Sequence, residues 1–185
     1  MTAIRIAVIL AALYVIIPYA RCLFKRLACM QRIRRICRQK GFEIRGTHPL
    51  WFLGSRYSRR CDCFILAGGT VFGVKFFGCL RGLKALIFSG YGQYFFRPLN
   101  TFPLFQIDFF DTGHHPLPDY DFDRRLSPEW RDRPMRRFLL INPIPLEIRM
   151  QPASGAESIS GPGDMVDGME IASLSHLLRL LDNAG

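Results

Sequence analysis

The chain has 185 residues, 49% hydrophobic and 22% charged, which fits one domain with a short appendage and excludes wholesale disorder. It contains no internal repeat, Gly-rich phosphate loop, nucleophile elbow or Cys-x-x-Cys pair, which excludes a solenoid and the commonest catalytic signatures. The net charge of +10 is uneven: residues 1–60 hold 13 basic residues against Glu43 alone, and residues 61–185 hold 12 against 14 acids. Such asymmetry points to a membrane surface or a nucleic acid met by the first third of the chain.

Residues 1–20 are apolar apart from Arg5, and Ile6 to Ala20 is unbroken. As a helix, twenty residues span about 30 Å, the thickness of the hydrocarbon layer, if Arg5 snorkels to the interface. A single-pass anchor is the leading reading. A cleaved signal peptide is disfavoured because Pro18-Tyr19-Ala20 lacks a small-x-small site, and a buried core helix is the third reading.

Residues 21–40 read as a basic amphipathic juxtamembrane helix. Eight cations lie between Arg21 and Lys40 with no acid among them. Cys22, Leu23, Leu27, Cys29, Met30, Ile33, Ile36 and Cys37 share one half of the helical wheel. Arg21, Lys25, Arg32, Arg35 and Arg38 share the other half and form the candidate surface for anionic lipid or another anion. Gly41 is the stop signal. The positive-inside bias places everything after residue 20 in the cytoplasm, where the six cysteines stay reduced.

Residues 41–185 are expected to form a cytoplasmic domain. Cys61–Ala67 and Thr70–Phe77 read as a hairpin about Gly68-Gly69, with Ala67 opposite Thr70 and Asp62 opposite Lys75. On such a strand Cys61 and Cys63 would share a face. Asp62 and Lys75 read first as a cross-strand ion pair. A helix followed by strands, with an Asp on one strand and a Lys late on the next, also resembles the core of the restriction-endonuclease-like nucleases. That resemblance implies an acid at Asp62, a Lys at Lys75 beside the attacking water, and magnesium held by two acids. The chain departs from the pattern at Gly73, where the second acid belongs; Glu43 could replace it only by coming from elsewhere in space.

Lys84–Phe88 and Gln93–Arg97 read as a second hairpin, rich enough in aromatics and cations to suggest a nucleic-acid platform but more simply an aromatic core face. Residues 98–136 form a long loop rich in Pro, Asp and Arg, in which Phe102 to Phe110 could pack. Asp119–Asp123 opens like a calcium loop, but Arg124 and Trp130 break the match. Arg137–Asn142 and Leu146–Gln151 read as strands, 152–163 as a loop, and Ile171 to Leu181 as a closing helix with His176 on its surface.

The expected class is therefore α+β: a membrane helix, a juxtamembrane helix, and a mainly antiparallel hairpin sheet closed by a C-terminal helix. The expected function is a membrane-anchored interaction domain whose partners are the bilayer and an unidentified protein. This leading reading implies no cofactor. The alternatives are a nuclease-type domain, intact or degenerate and metal-dependent if active, and a nucleic-acid-binding module built on the basic helix.

Overall fold

The computed structural model describes residues 2–46, 58–78, 84–98, 113–142 and 144–185; before Leu23 the side chains described are those of Arg5, Ile6, Ile9, Ile17 and Ala20. Helix α1 runs without a break from Thr2 to Lys40, so the two expected N-terminal helices share one axis. It stops in a Schellman motif. Gly41 takes φ +71°, Phe42 N–H donates to Cys37 O at 2.8 Å, and Gly41 N–H donates to Arg38 O at 3.4 Å. Among the described residues, no helix is long and apolar enough to cross a membrane.

The strands form two sheets. The first contains β1 (Glu43–Gly46), β2 (Cys63–Ala67), β3 (Thr70–Phe77), β7 (Met135–Ile141), β11 (Met169–Ala172) and β10 (Met165–Val166), side by side in that order. The second contains β6 (His115–Pro116), β5 (Gln93–Pro98), β4 (Lys84–Ser89), β8 (Glu147–Gln151) and β9 (Ser158–Ser160). Both hairpins form as expected, with Ala67 against Thr70 and Ser89 against Gln93. Gly68 and Gly69 take φ +54° and +81°, the geometry a two-residue turn requires.

The single, mainly antiparallel sheet expected from sequence is replaced by two mixed sheets. β3 runs parallel to β7, β7 parallel to β11, and β4 parallel to β8. Tight turns force antiparallel pairing only on strands that follow each other directly. β3 reaches β7 after the chain has built β4, β5 and β6 in the other sheet, and such a crossover permits parallel pairing.

The centre of the first sheet is buried on both faces, which is why β3 is apolar almost throughout. On one face lie Cys29, Met30, Ile33 and Cys37 of α1 with Leu177 and Leu181 of α2 (Leu174–Asn183), against Ile65, Phe72, Val74, Phe76, Phe138 and Leu140. On the other face Phe64, Val71, Phe77, Leu139 and Ile141 meet Leu86, Phe88, Tyr94, Phe96 and Ile148 of the second sheet. Each large apolar side chain buried in this way contributes about 1.5–3 kcal/mol. The aromatics of the second hairpin are thus largely core: Tyr94 and Phe96 are buried, while Phe95 is half-buried.

Further differences from the sequence reading are local. Ile171 belongs to β11, and α2 begins only at Leu174, capped by Ser173 Oγ accepting from His176 N–H at 3.1 Å. A hairpin about Asp167-Gly168 (φ +48° and +71°) joins β10 to β11, and β9 lies within the expected 152–163 loop. Cys79 and residues 99–112, including the Phe102–Phe110 stretch, lie outside the described residues, as do His48 and the side chains of Arg21 and Cys22.

Candidate functional site

Asp62 and Lys75 meet, but not as a surface pair on a regular ladder. Cys63 is registered with Val74, and Asp62 N–H also donates to Val74 O at 3.1 Å. Two residues therefore stand against one, a β-bulge at the mouth of β2. The bulge puts Cys61 in the core between the sheets and Cys63 in the core under the helices, where a regular strand would have aligned them.

The bulge also carries Asp62 inward. Its Oδ2 lies 3.2 Å from Lys75 Nζ, with the two side chains 2% and 0% exposed. The same Oδ2 accepts from Phe76 N–H at 2.8 Å, and Lys75 Nζ donates to Arg60 O at 2.9 Å and sits 5.2 Å from the centre of the Tyr120 ring. Burial pushes the Asp62 carboxyl above its ordinary range, opposed by the lysine. Burial pulls the Lys75 ammonium below its own, opposed by the aspartate. The pair ties β3 to the 60–62 segment, which in turn pairs with Asp121 through Cys61 N–H donating to Asp121 O at 3.2 Å and Asp121 N–H donating to Arg59 O at 2.7 Å.

Neither of the two positions the nuclease pattern points to supplies its second acid beside this pair. A Cβ on Gly73 would stand 2.6 Å from Phe122 Cδ1, so the position is packed by a ring. Glu43 is registered with Leu66, at the other end of β2 from Asp62, and is paired with Arg45. Among the described residues no group of three or more His, Cys, Asp or Glu side chains stands ready to hold a metal.

Arg60 and Tyr120, which touch Lys75, also line a cavity of about 500 Å³ with Ser58, Arg59, Asp119, Asp121–Arg124 and Arg137; neither Asp62 nor Lys75 lines it. Asp121 Oδ1 accepts from the amides of Asp123 and Arg124 at 3.0 and 2.8 Å, so the calcium-like run is an Asx turn. Asp123 lies 3.7 Å from Arg137.

Lys25, Arg32, Arg35 and Arg38 are exposed on α1, as expected. Arg34, Arg35 and Arg38 line an open groove of about 460 Å³ with Gln31 and Gln39. The four described thiols are the reverse of reactive: burial pushes Cys29 up to about 12 and Cys37 up to about 11, and raises Cys61 and Cys63 as well.

Several ionic clusters escaped the sequence reading, among them that of Arg97, Glu157, Arg149 and Glu147 and the one that holds α2. Glu170 accepts from Arg136 Nη2 at 2.5 Å and its Oε1 lies 2.8 Å from His176 Nε2, fastening α2 to β7 and β11. His176 is therefore a partnered, half-buried residue. Its position three after the capping Ser173 is the only local signal that could have placed it near the start of a helix.

No protein-family model matches this chain, and neither the curated proteins nor the solved structures compared with it include a match.

Proposed function

We propose that this chain is a membrane-tethered interaction domain, anchored by its first helix and with its folded part in the cytoplasm. The observation that carries the reading is the contrast along α1. Cys29, Met30, Ile33 and Cys37 are buried under the first sheet, whereas Ile6, Ile9 and Ile17 are 55%, 58% and 54% exposed and Phe24 is 69% exposed. A helix that docks its later turns while holding out isoleucines in its earlier ones needs an apolar solvent for them. The unbroken apolar run from Ile6 to Ala20 and the cations that follow agree with this, and the positive-inside bias sets the orientation.

The closed state of Asp62 and Lys75 weighs against catalysis at that pair, since side chains 2% and 0% exposed offer a substrate almost no atom. A nuclease-type function would need a second carboxylate beside Asp62, and a nucleic-acid module would use the exposed arginines of α1. The anchor reading is tested by fractionating cells that express the full chain. The protein should stay with membranes in 1 M salt and at alkaline pH, and leave only in detergent. Release by salt alone overturns the anchor in favour of surface electrostatics. A reporter fused after Gly185 should be active only in its cytoplasmic form; the opposite result overturns the orientation.

A further inference from the structure

We infer that the cavity shared by residues 58–60, the 119–124 turn and Arg137 of β7 is a binding site for a phosphate monoester, held by Arg59, Arg60 and Arg124. All of its lining belongs to the folded domain, so the site stands whether or not α1 enters a bilayer. Backbone bonds fix its walls before any ligand arrives. Arg60 and Asp121 form a parallel bridge, with Cys61 N–H donating to Asp121 O at 3.2 Å and Asp121 N–H donating to Arg59 O at 2.7 Å. Lys75 Nζ donates to Arg60 O at 2.9 Å and so ties the same stretch to β3. Tyr120 and Phe122 line the cavity as buried rings, which leaves its accessible surface mainly to charged side chains.

Four arginines and three aspartates share this cavity, and most of the acids are already engaged. Asp121 Oδ1 accepts from the amides of Asp123 and Arg124 at 3.0 and 2.8 Å. Asp123 faces Arg137 at 3.7 Å, and the Arg137 guanidinium lies 5.7 Å from the centre of the Phe122 ring. Arg59, Arg60 and Arg124 are exposed, and among the described residues their guanidiniums meet no carboxylate. Asp119 is the remaining acid, also exposed and without a cation among the described residues. Three uncommitted cations against one uncommitted acid leave an excess of two positive charges. A phosphate monoester carries about −1.5 to −2 at pH 7, which matches that excess.

The arrangement selects one compact anion over the other classes of ligand. A nucleic-acid strand would carry further phosphates past Asp119, Asp121 and Asp123 within the same cavity, where they are repelled. Among the described residues no group of three acids, histidines or cysteines is placed to hold a metal there. The amides of Asp123 and Arg124 are taken by Asp121, so the donors left to a ligand are guanidinium forks. Such forks match the oxygens of a phosphate two at a time. The cavity of about 500 Å³ falls within the range of about 300–1,000 Å³ usual for small-molecule sites, with room for the organic group that carries the phosphate. The same chemistry comes from a phosphorylated small molecule or from a phosphorylated side chain of a partner protein.

The test titrates the full chain, in nonionic detergent at pH 8 and fixed ionic strength, with inorganic phosphate, a short phosphoserine peptide and the same peptide unphosphorylated, read by calorimetry and by 31P line broadening. One phosphate group should bind per chain. Arg59→Gln, Arg60→Gln and Arg124→Gln should each weaken binding about tenfold or more, the loss expected for a hydrogen bond between two charged groups. Asp119→Asn should strengthen it by up to about fivefold. Arg179→Gln, on the exposed face of α2 and outside the cavity, should leave it unchanged. Arg60 meets Lys75 through its carbonyl, so its variant keeps that bond, and equal urea midpoints show that the variants are folded. A phosphopeptide that binds more tightly than inorganic phosphate assigns the site to a phosphorylated side chain, and equal binding assigns it to a small phosphorylated molecule. No binding of either phosphate probe at millimolar concentration overturns the site. So does equal binding of the unphosphorylated peptide, or a loss in Arg179→Gln as large as in Arg124→Gln, which would mean that diffuse charge alone holds the anion.

Discussion

Removing one member of the Asp62–Lys75 pair should cost far more than removing both. In Lys75→Met the carboxylate stays buried without its lysine, and in Asp62→Leu the ammonium stays buried against Arg60 O and Tyr120. Breaking a buried ion pair from one side costs about 3–5 kcal/mol. The double variant removes both charges and leaves mainly Phe76 N–H without its acceptor, a cost of about 1–3 kcal/mol. Additive behaviour would instead require about 6–10 kcal/mol for the double variant.

The two single variants should also respond to pH in opposite directions. In Lys75→Met the buried Asp62 loses the cation that held its pKa down, so its folded value rises further above the ordinary 3.8. The folded state then keeps a proton that the unfolded chain gives up, and stability falls as pH rises through the folded pKa. In Asp62→Leu the folded pKa of Lys75 drops further below 10.5, and stability is lost as pH falls through it. Each slope is limited to about 1.4 kcal/mol per pH unit, one proton's worth. Urea titrations of the full chain in detergent micelles from pH 5 to 9, followed by tryptophan fluorescence, read both effects. Single-variant costs that add within about 0.5 kcal/mol, or pH slopes of the same sign, would refute the buried-pair account.

Two other predictions follow from packing. Gly73→Ala drives its new methyl to 2.6 Å from the buried Phe122 ring and should lose about 1–3 kcal/mol, seen as a lower urea midpoint; an unchanged midpoint means the ring moves freely. Cys29, Cys37, Cys61 and Cys63 should resist a thiol reagent at pH 8 in the native protein and react at once in urea, since burial raises every one of these thiols. Rapid native labelling at mapped Cys29 or Cys37 would show that α1 detaches from the sheet.

How much of this was legible in advance follows the range of each interaction. The β2–β3 hairpin, its Gly68-Gly69 turn, the end of α1 at Gly41 and the register Ala67–Thr70 were readable because each is set by residues a few positions apart. The β10–β11 hairpin was equally local, and Asp167-Gly168 could have announced it. The extreme charge asymmetry and the apolar opening were also properties of the sequence itself.

The candidate pair shows where local reading stops. Alternation along a strand could bring Asp62 and Lys75 together, but it assigned them a regular ladder and left their exposure open. The bulge is fixed by packing on both sides: Cys61 pairs with Asp121 and enters the core between the sheets, and Cys63 faces the helices. Whether the pair met solvent depended on Tyr120 and Arg60, one of them 45 positions from Lys75. Sequence thus determined which residues were charged and which apolar, and hence what each segment would seek. The parallel pairing of β3 with β7, the division into two sheets and the sealing of the ion pair were decided only when distant segments competed for the same buried surface. That choice is made by total burial across the domain, which no short window of residues contains.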